Sequence, residues 1–333
     1  MSNQHHAAAL DPRETRHRIA GPIDGLSLFL RHLPATRTQP QPSAGKPRVV
    51  LYVHGGTFPS ALSIAHRFGG RSWRDALADA GYDVWGLDFY GFGESDRYPE
   101  MAEPAEGHAP LGGAEIASRQ VEAAVRFIGA RHDTASVAVV AHSWGTIAAG
   151  RCAGRCPDLI DRLVFFGPIA WRPQRAEPAR FDAWRLVSLA DQWTRFTAEV
   201  PRGARPVLSE RHFAEWGPRY LDSDPESRTR SPASVKTPSG PWHDIAQAHA
   251  GALAYDPAAI QAPVAIIRGE WDSLATDADA RWLFDALTHA PLKRDVKIGR
   301  ATHLMHLEQA RHALHRETEA FLAGEHGPIE RAA

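Results

Sequence analysis

The chain has 333 residues, of which 43% are hydrophobic and 23% charged, a balance that excludes global disorder and leaves length enough to bury a sizeable core. Its formal net charge is −1 and it holds no long basic run, so composition makes no case for nucleic acid or an acidic membrane surface. A small molecule is the expected partner, and no oligomeric state is legible.

In chain order, residues 1–18 read as a flexible polar tail, with His5 and His6 incidental rather than metal-binding. The tail has no signal-peptide core, and no run approaches the roughly 18 apolar residues of a membrane span. "IDGLSLFLRHL" alternates Leu26, Leu28 and Leu30, the period of a half-buried strand. "PATRTQPQPSAGKPR" has the composition of an exposed connection. "RVVLYVHGG" reads as a buried strand, "SWRDALADAG" as a helix stopped at Gly81, and "YDVWGLDFYGFG" as a strand entering a glycine-rich turn. "AEIASRQVEAAVRFIGARH" carries apolar residues at helical intervals. "SVAVVAHS" is apolar on both faces, "WGTIAAGRCAGRC" reads as a helix ended by Pro157, and "DRLVFFGP" as another strand.

Strands apolar on both faces, alternating with helices, predict an α/β fold with a mostly parallel sheet covered on both sides. The alternation breaks after Pro168. Residues 172–262 contain Trp184, Trp193, Trp216 and Trp242, a helix over "RFDAWRLVSLADQW", and a loop-like stretch "LDSDPESRTRSPASVKTPSGPW". The pattern resumes at "APVAIIRGEWDS", then a helix "DADARWLFDALTH", a strand "DVKIG" and a last helix from about Glu308 to Leu322. The expected organisation is a core of residues 19–171 and 263–333, with 172–262 as a largely helical insertion before the last two strands. The two cysteines, Cys152 and Cys156, fit a reducing compartment better than a disulfide, and a cytoplasmic location is expected.

The chemistry gathers at strand ends. Ser143 follows the run "VAVVAHSWG", where it is either the cap of the next helix or a nucleophile held out by a sharp turn that small Ala141 and Gly145 permit. A serine hydroxyl needs a base, and that base needs an orienting acid. "GRATHLMHLEQ" offers His303 after the last strand, and "IIRGEWDS" offers Asp272, with Glu270 as the fallback acid. All stand at the carboxyl edge of the sheet, where ligands bind in open α/β folds. "VHGGTFP" offers backbone N–H groups for a developing oxyanion, the donor being Gly56 or Thr57 with Gly56 preferred, and the N–H of Trp144 is the second donor. Thr57, Phe58 and His142 are candidate pocket residues. His303, His306 and Glu308 lack the further ligands of a metal site, His306 and Glu308 instead bracing the histidine loop; Asp88 reads as structural. No cofactor and no metal are expected.

"VHGG" (53–56), "GLDFYGFGESD" (86–96), "VVAHSWG" (139–145), "IIRGEWD" (266–272) and "THLMHLE" (302–308) occur in the order and spacing that resembles the α/β-hydrolase fold superfamily, over about 25–325 apart from the insertion. The resemblance implies a Ser143–Asp272–His303 triad, in the chain order usual for that fold. It also implies that the insertion covers the pocket as a lid. The sequence departs from the family pattern in opening the elbow with Ala141 rather than glycine, and in "HGGTF" where prolyl-aminopeptidase relatives carry "HGGPG". Serine at the elbow sets the chain apart from the haloalkane dehalogenases and epoxide hydrolases, which use aspartate there. The expected activity is hydrolysis of an ester, lactone or thioester. The aromatic residues of the insertion, with Trp144 and Phe58, favour an apolar or aromatic substrate moiety. Alternatives are C–C hydrolysis of a diketone-like substrate, an aminopeptidase with the same triad, and a ligand-binding receptor on a hydrolase scaffold.

Overall fold

A computed structural model describes residues 11–36, 48–173 and 179–324; His5, His6 and most of the proline-rich connection after Leu33 lie outside them. Ten strands are described: β1 (Thr15–Ala20), β2 (Ser27–Leu33), β3 (Val49–Val53), β4 (Asp83–Asp88), β5 (Val137–His142), β6 (Ile160–Phe166), β7 (Trp184–Ser188), β8 (Ser234–Pro238), β9 (Val264–Gly269) and β10 (Lys293–Ile298). The helices are α1 (Trp73–Asp79), α2 (Ala114–His132), α3 (Gly145–Arg155), α4 (Leu189–Thr197), α5 (Glu210–Asp222), α6 (Gly240–His249), α7 (Asp277–Ala286) and α8 (Arg311–Ala323).

Eight strands form one sheet in the order β1-β2-β4-β3-β5-β6-β9-β10. From β4 to β10 all neighbours run parallel, whereas β2 pairs antiparallel with β4 and with β1. The central strands are buried on both faces, as parallel crossovers require. Leu51, Val53, Val139, Ala141, Leu163, Phe165, Val264 and Ile266 pack on one side with α2, α3 and α7. Their alternates Val50, Tyr52, Ala138, Val140, Val164, Phe166, Ala265 and Ile267 pack on the other with α1 and α8.

Part of the expected tail is ordered structure. Residues 15–18 belong to β1, an edge strand whose only buried residue is Ile19, so side-chain periodicity gives no sign of it. What fixes it is its ladder with β2 and Glu14, which lies between the fully buried guanidinium groups of Arg31 (3.0 Å) and Arg74.

Between β6 and β9 the chain leaves the sheet, and this insertion is not purely helical. β7 and β8 pair antiparallel as a separate ribbon. "WRLVS", expected in a helix, is strand β7, and α4 starts only at the Ser188/Asp191 capping box. The stretch expected to be loop contains β8, pinned where Asp224 accepts the Lys236 backbone N–H at 2.8 Å and the Arg230 guanidinium at 2.7 Å. The last helix begins at Arg311, after a short 3₁₀ turn over Met305–Leu307. A third apolar cluster joins the insertion to the core: Phe196, Leu208, Trp216 and Tyr220 meet Phe58, Leu62, Leu304 and Leu307.

Candidate functional site

β5 ends at His142, and the next residue, Ser143, holds φ at 55°, in the left-handed region a non-glycine residue enters at a cost of about 1–3 kcal/mol. The turn is overdetermined. The Ser143 N–H donates to Phe166 O at 3.1 Å, and its carbonyl accepts the Thr146 N–H at 2.9 Å and hydroxyl at 2.6 Å. α3 starts at Gly145, whose missing side chain lets it close on β3: a Cβ there would collide with the backbone carbonyl of His54 and stand 3.0 Å from that of Val53. Ser143 is therefore not a helix cap but an elbow residue whose hydroxyl is aimed across the sheet edge.

His303, in the loop after β10, meets that hydroxyl: Nε2 lies 2.7 Å from Ser143 Oγ. Its Nδ1 lies 3.0 Å from both carboxylate oxygens of Asp272, in the loop after β9. A carboxylate only accepts, so Nδ1 carries the proton and Nε2 is free to accept from the serine. Asp272 is held in turn by the backbone N–H groups of Leu274 and Ala275, both at 2.9 Å. Gly167, with φ of 54°, leaves room for the imidazole; a Cβ there would stand 3.0 Å from His303 Cε1 and Nδ1. The fallback acid is elsewhere engaged, since Glu270 accepts the Arg300 N–H at 2.8 Å.

The turn after β3 lies against the elbow. A Cβ on Gly55 would come 3.1 Å from Ser143 Cβ, and one on Gly56 would stand 2.7 Å from Pro241 Cβ and 3.9 Å from Trp144 Cβ. His54 shapes this turn by donating from Nδ1 to Gly55 O at 2.6 Å and accepting the Phe89 N–H on Nε2 at 3.1 Å. Among the described residues, the backbone N–H groups of Gly56, Thr57 and Trp144 have no acceptor. The Trp144 indole donates to Asp244 at 2.7 Å, and burial raises the Asp244 carboxyl to about 6. Asp88 is structural, accepting the Ser60 N–H and the Glu94 N–H.

The three pocket candidates have different fates. Thr57 accepts a hydrogen bond from Arg195 Nη1 at 3.0 Å. Phe58 is buried against Phe196, Trp216 and His306, so it anchors the insertion instead of lining a cavity. His142 stacks on Phe166 and donates from Nε2 to His303 O at 3.0 Å. Burial, with His306 and His303 adding to it, holds His142 well below the ordinary histidine value. His306 is lowered likewise, first by burial and then by His303. Two neutral rings thus floor the site beside His303. Trp216 packs with Phe196, Phe213 and Tyr220, so the aromatic content of the insertion mostly serves packing and is a weak guide to substrate.

Glu308 braces the histidine loop, accepting the Thr302 N–H at 3.1 Å and its hydroxyl. Among the described residues, His303, His306 and Glu308 form no cation site; the ligand atoms that cluster belong to His32, Asp83 and His132, at the β2–β4 side of the sheet. There His32 Nε2 bonds Asp83 at 2.8 Å and the Trp85 indole donates to His132 Nε2 at 3.0 Å. Cys152 and Cys156 are both free. Sequence reading missed Glu199, from the segment after α4. Its carboxylate accepts the His303 N–H at 2.7 Å and the Ser273 N–H at 2.8 Å, joining the two loops that carry His303 and Asp272. No motif marks it.

The sheet order, the elbow and the Ser143–His303–Asp272 chain define a member of the α/β hydrolase fold family, and the profile of that family matches residues 48–310, so the chain belongs to it. Human lipase member N is 28% identical over 140 residues, which are 42% of this chain and 35% of that lipase, so the match spans about a third of the lipase's length. A serine hydrolase from the polyaromatic-hydrocarbon-degrading bacterium Cycloclasticus zankles superposes with a TM-score of 0.60 at 15% identity, over 95% of this chain and 100% of that one. Potato (Solanum tuberosum) epoxide hydrolase I superposes with a TM-score of 0.57 at 16% identity, over 93% and 99%. At 15–16% identity the two superpositions show a shared fold. No helix among the described residues is long and apolar enough to cross a membrane.

Proposed function

We propose that this α/β hydrolase cleaves a carboxylic ester of a small molecule through an acyl-enzyme on Ser143. The observation that carries the reading is the 2.7 Å contact between His303 Nε2 and Ser143 Oγ, with Nδ1 of the same ring on Asp272. Ser143 Oγ attacks the carbonyl carbon as His303 Nε2 takes its proton, and Asp272 steadies the imidazolium. The oxyanion forms against the N–H groups of Gly56 and Trp144, which have no other acceptor among the described residues. His303 then gives its proton to the departing alcohol and takes one from water; the water oxygen bonds to the acyl carbon, the bond to Ser143 Oγ breaks as His303 returns the proton to that oxygen, and the acid leaves. Residues 172–262 act as the cap over this edge.

The test is a panel of 4-nitrophenyl esters with a serine-directed fluorophosphonate. Turnover, labelling at Ser143, and loss of about 10⁶ in turnover in Ser143→Ala support the reading. An alanine variant that hydrolyses the esters like the wild type removes it, and turnover of aminoacyl anilides or diketones in place of esters moves the same residues to another bond.

A further inference from the structure

Two arginines of the cap stand beside this site with no carboxylate in direct contact among the described residues. Arg195, on α4, and Arg185, on β7, both lie over the indole of Trp242, with guanidinium carbons 5.3 and 4.8 Å from the ring centroid. Like charges gathered on one ring repel, and among the described residues neither forms an ion pair. The acids around them act from beyond contact: Glu199 and Asp272 favour the charge of Arg195, and Arg185 acts on Asp191. Glu199 spends its two oxygens on Ser273 and His303, and Asp272 holds His303.

Arg195 has one hydrogen bond among the described residues, Nη1 to Thr57, next to Gly56 in the turn against the elbow. Trp242 follows Pro241, which packs on Gly56, and its own buried indole N–H has no partner among the described residues. Two guanidinium groups with no ion-pair contact, and an indole donor with no partner among the described residues, thus gather on the side of the turn that carries Gly56 and Thr57. Partly buried cations left unpaired are costly, and a ligand's negative charge is what would complete them. Burial draws the Arg195 guanidinium down to about 10, which leaves it charged at neutral pH.

We propose that Arg195, Arg185 and the Trp242 indole N–H seat a carboxylate carried by the substrate, so that the enzyme prefers anionic esters to neutral ones. The proposal rests on the ester-hydrolase reading above and names the substrate class for that same site. The planar fork of arginine matches a carboxylate, and its charge survives any working pH. The carboxylate can sit on the acyl part or on the alcohol part of the ester.

The experiment compares matched pairs at low ionic strength. Mono-4-nitrophenyl adipate against 4-nitrophenyl hexanoate places the charge on the acyl side; 4-acetoxybenzoate against 4-acetoxybenzamide places it on the leaving side. At least a tenfold higher kcat/KM for the anionic member of one pair is expected, shrinking as salt is added. Arg195→Gln and, separately, Arg185→Gln are expected to bring that ratio towards one, while Arg195→Lys retains part of it. The ratio within each variant is the readout, so a general loss of activity does not imitate the effect. Ester turnover and Ser143 labelling with no anionic preference in either pair, or a preference that survives both glutamine variants, overturns the proposal and leaves the hydrolase standing. No labelling and no turnover of any ester overturns both.

Discussion

The carboxylate of Glu199 accepts the backbone N–H of His303 at 2.7 Å while its other oxygen holds Ser273, the residue after Asp272. A single side chain from the insertion therefore ties together the two loops that bring base and acid to Ser143. Hydrogen bonds to a charged group contribute about 1.5–3 kcal/mol each, and reactive geometry lost by about 1 Å costs about 10²-fold in rate. Glu199→Ala is expected to lower kcat by about 10- to 100-fold with KM little changed, and Glu199→Gln, which keeps one acceptor oxygen, to lose less. Steady-state kinetics on a 4-nitrophenyl ester, together with the rate of Ser143 phosphonylation, check this. An alanine variant with wild-type kcat would show that the loops hold themselves.

Gly145 is expected to be intolerant of even one methyl group. A Cβ there meets the backbone carbonyls of His54 and Val53, which no side-chain rotation can move away, so β3 and the elbow would have to separate. Overpacking of this kind costs about 1–3 kcal/mol. Gly145→Ala should therefore lower the thermal midpoint and slow phosphonylation of Ser143. Gly107→Ala, where a Cβ meets nothing within 4 Å, is the control expected to unfold with the wild type. Equal midpoints for the two variants would contradict the packing argument.

What could be read from sequence follows from how strictly physics constrains each part. Ser143 and Asp272 follow β5 and β9, strands buried on both faces and legible from apolar runs alone, whereas His303 follows the edge strand β10, where only Ile298 is buried, and was placed by the motif around it. β1 was not legible because an edge strand with one buried side chain carries no period. β7 and β8 were missed because five polar-mixed residues gain their conformation from each other, across 45 or more residues of chain. Glu199 and Arg195 belong to that same insertion, so nothing local marks them; only the fold brings them to the site.

The roles of the two neighbouring acids separate cleanly by substitution. Asp272→Asn should drop kcat by about 10⁴, because an amide no longer fixes the Nδ1–H tautomer or offsets the imidazolium. Glu270→Gln should leave kcat near wild type, since that side chain reaches the Arg300 N–H and an amide oxygen can still accept it. A pH–rate profile of each variant makes the comparison, and a larger loss in Glu270→Gln than in Asp272→Asn would transfer the acid's role to Glu270.

Glu308 should make stability fall as pH rises from about 4.5 to about 7. It is buried beneath the histidine loop, and burial lifts its carboxyl from 4.5 to about 7, against the hydrogen bonds from Thr302. Between those two values the folded protein keeps a proton that the unfolded chain has released. The stability the neutral form provides is thus whole below about 4.5, drains across that window, and is lost above about 7, a difference of about 3 kcal/mol. Glu308→Gln resembles the protonated carboxyl: its oxygen can accept the Thr302 N–H and its amide can donate to the Thr302 hydroxyl. Urea unfolding at pH 5.5 and 8.5 should show the wild type losing more stability between the two than Glu308→Gln does, the gap closing from the alkaline side. An unchanged gap would mean that Glu308 is already ionised in the folded protein, held as a carboxylate by Thr302 despite its burial.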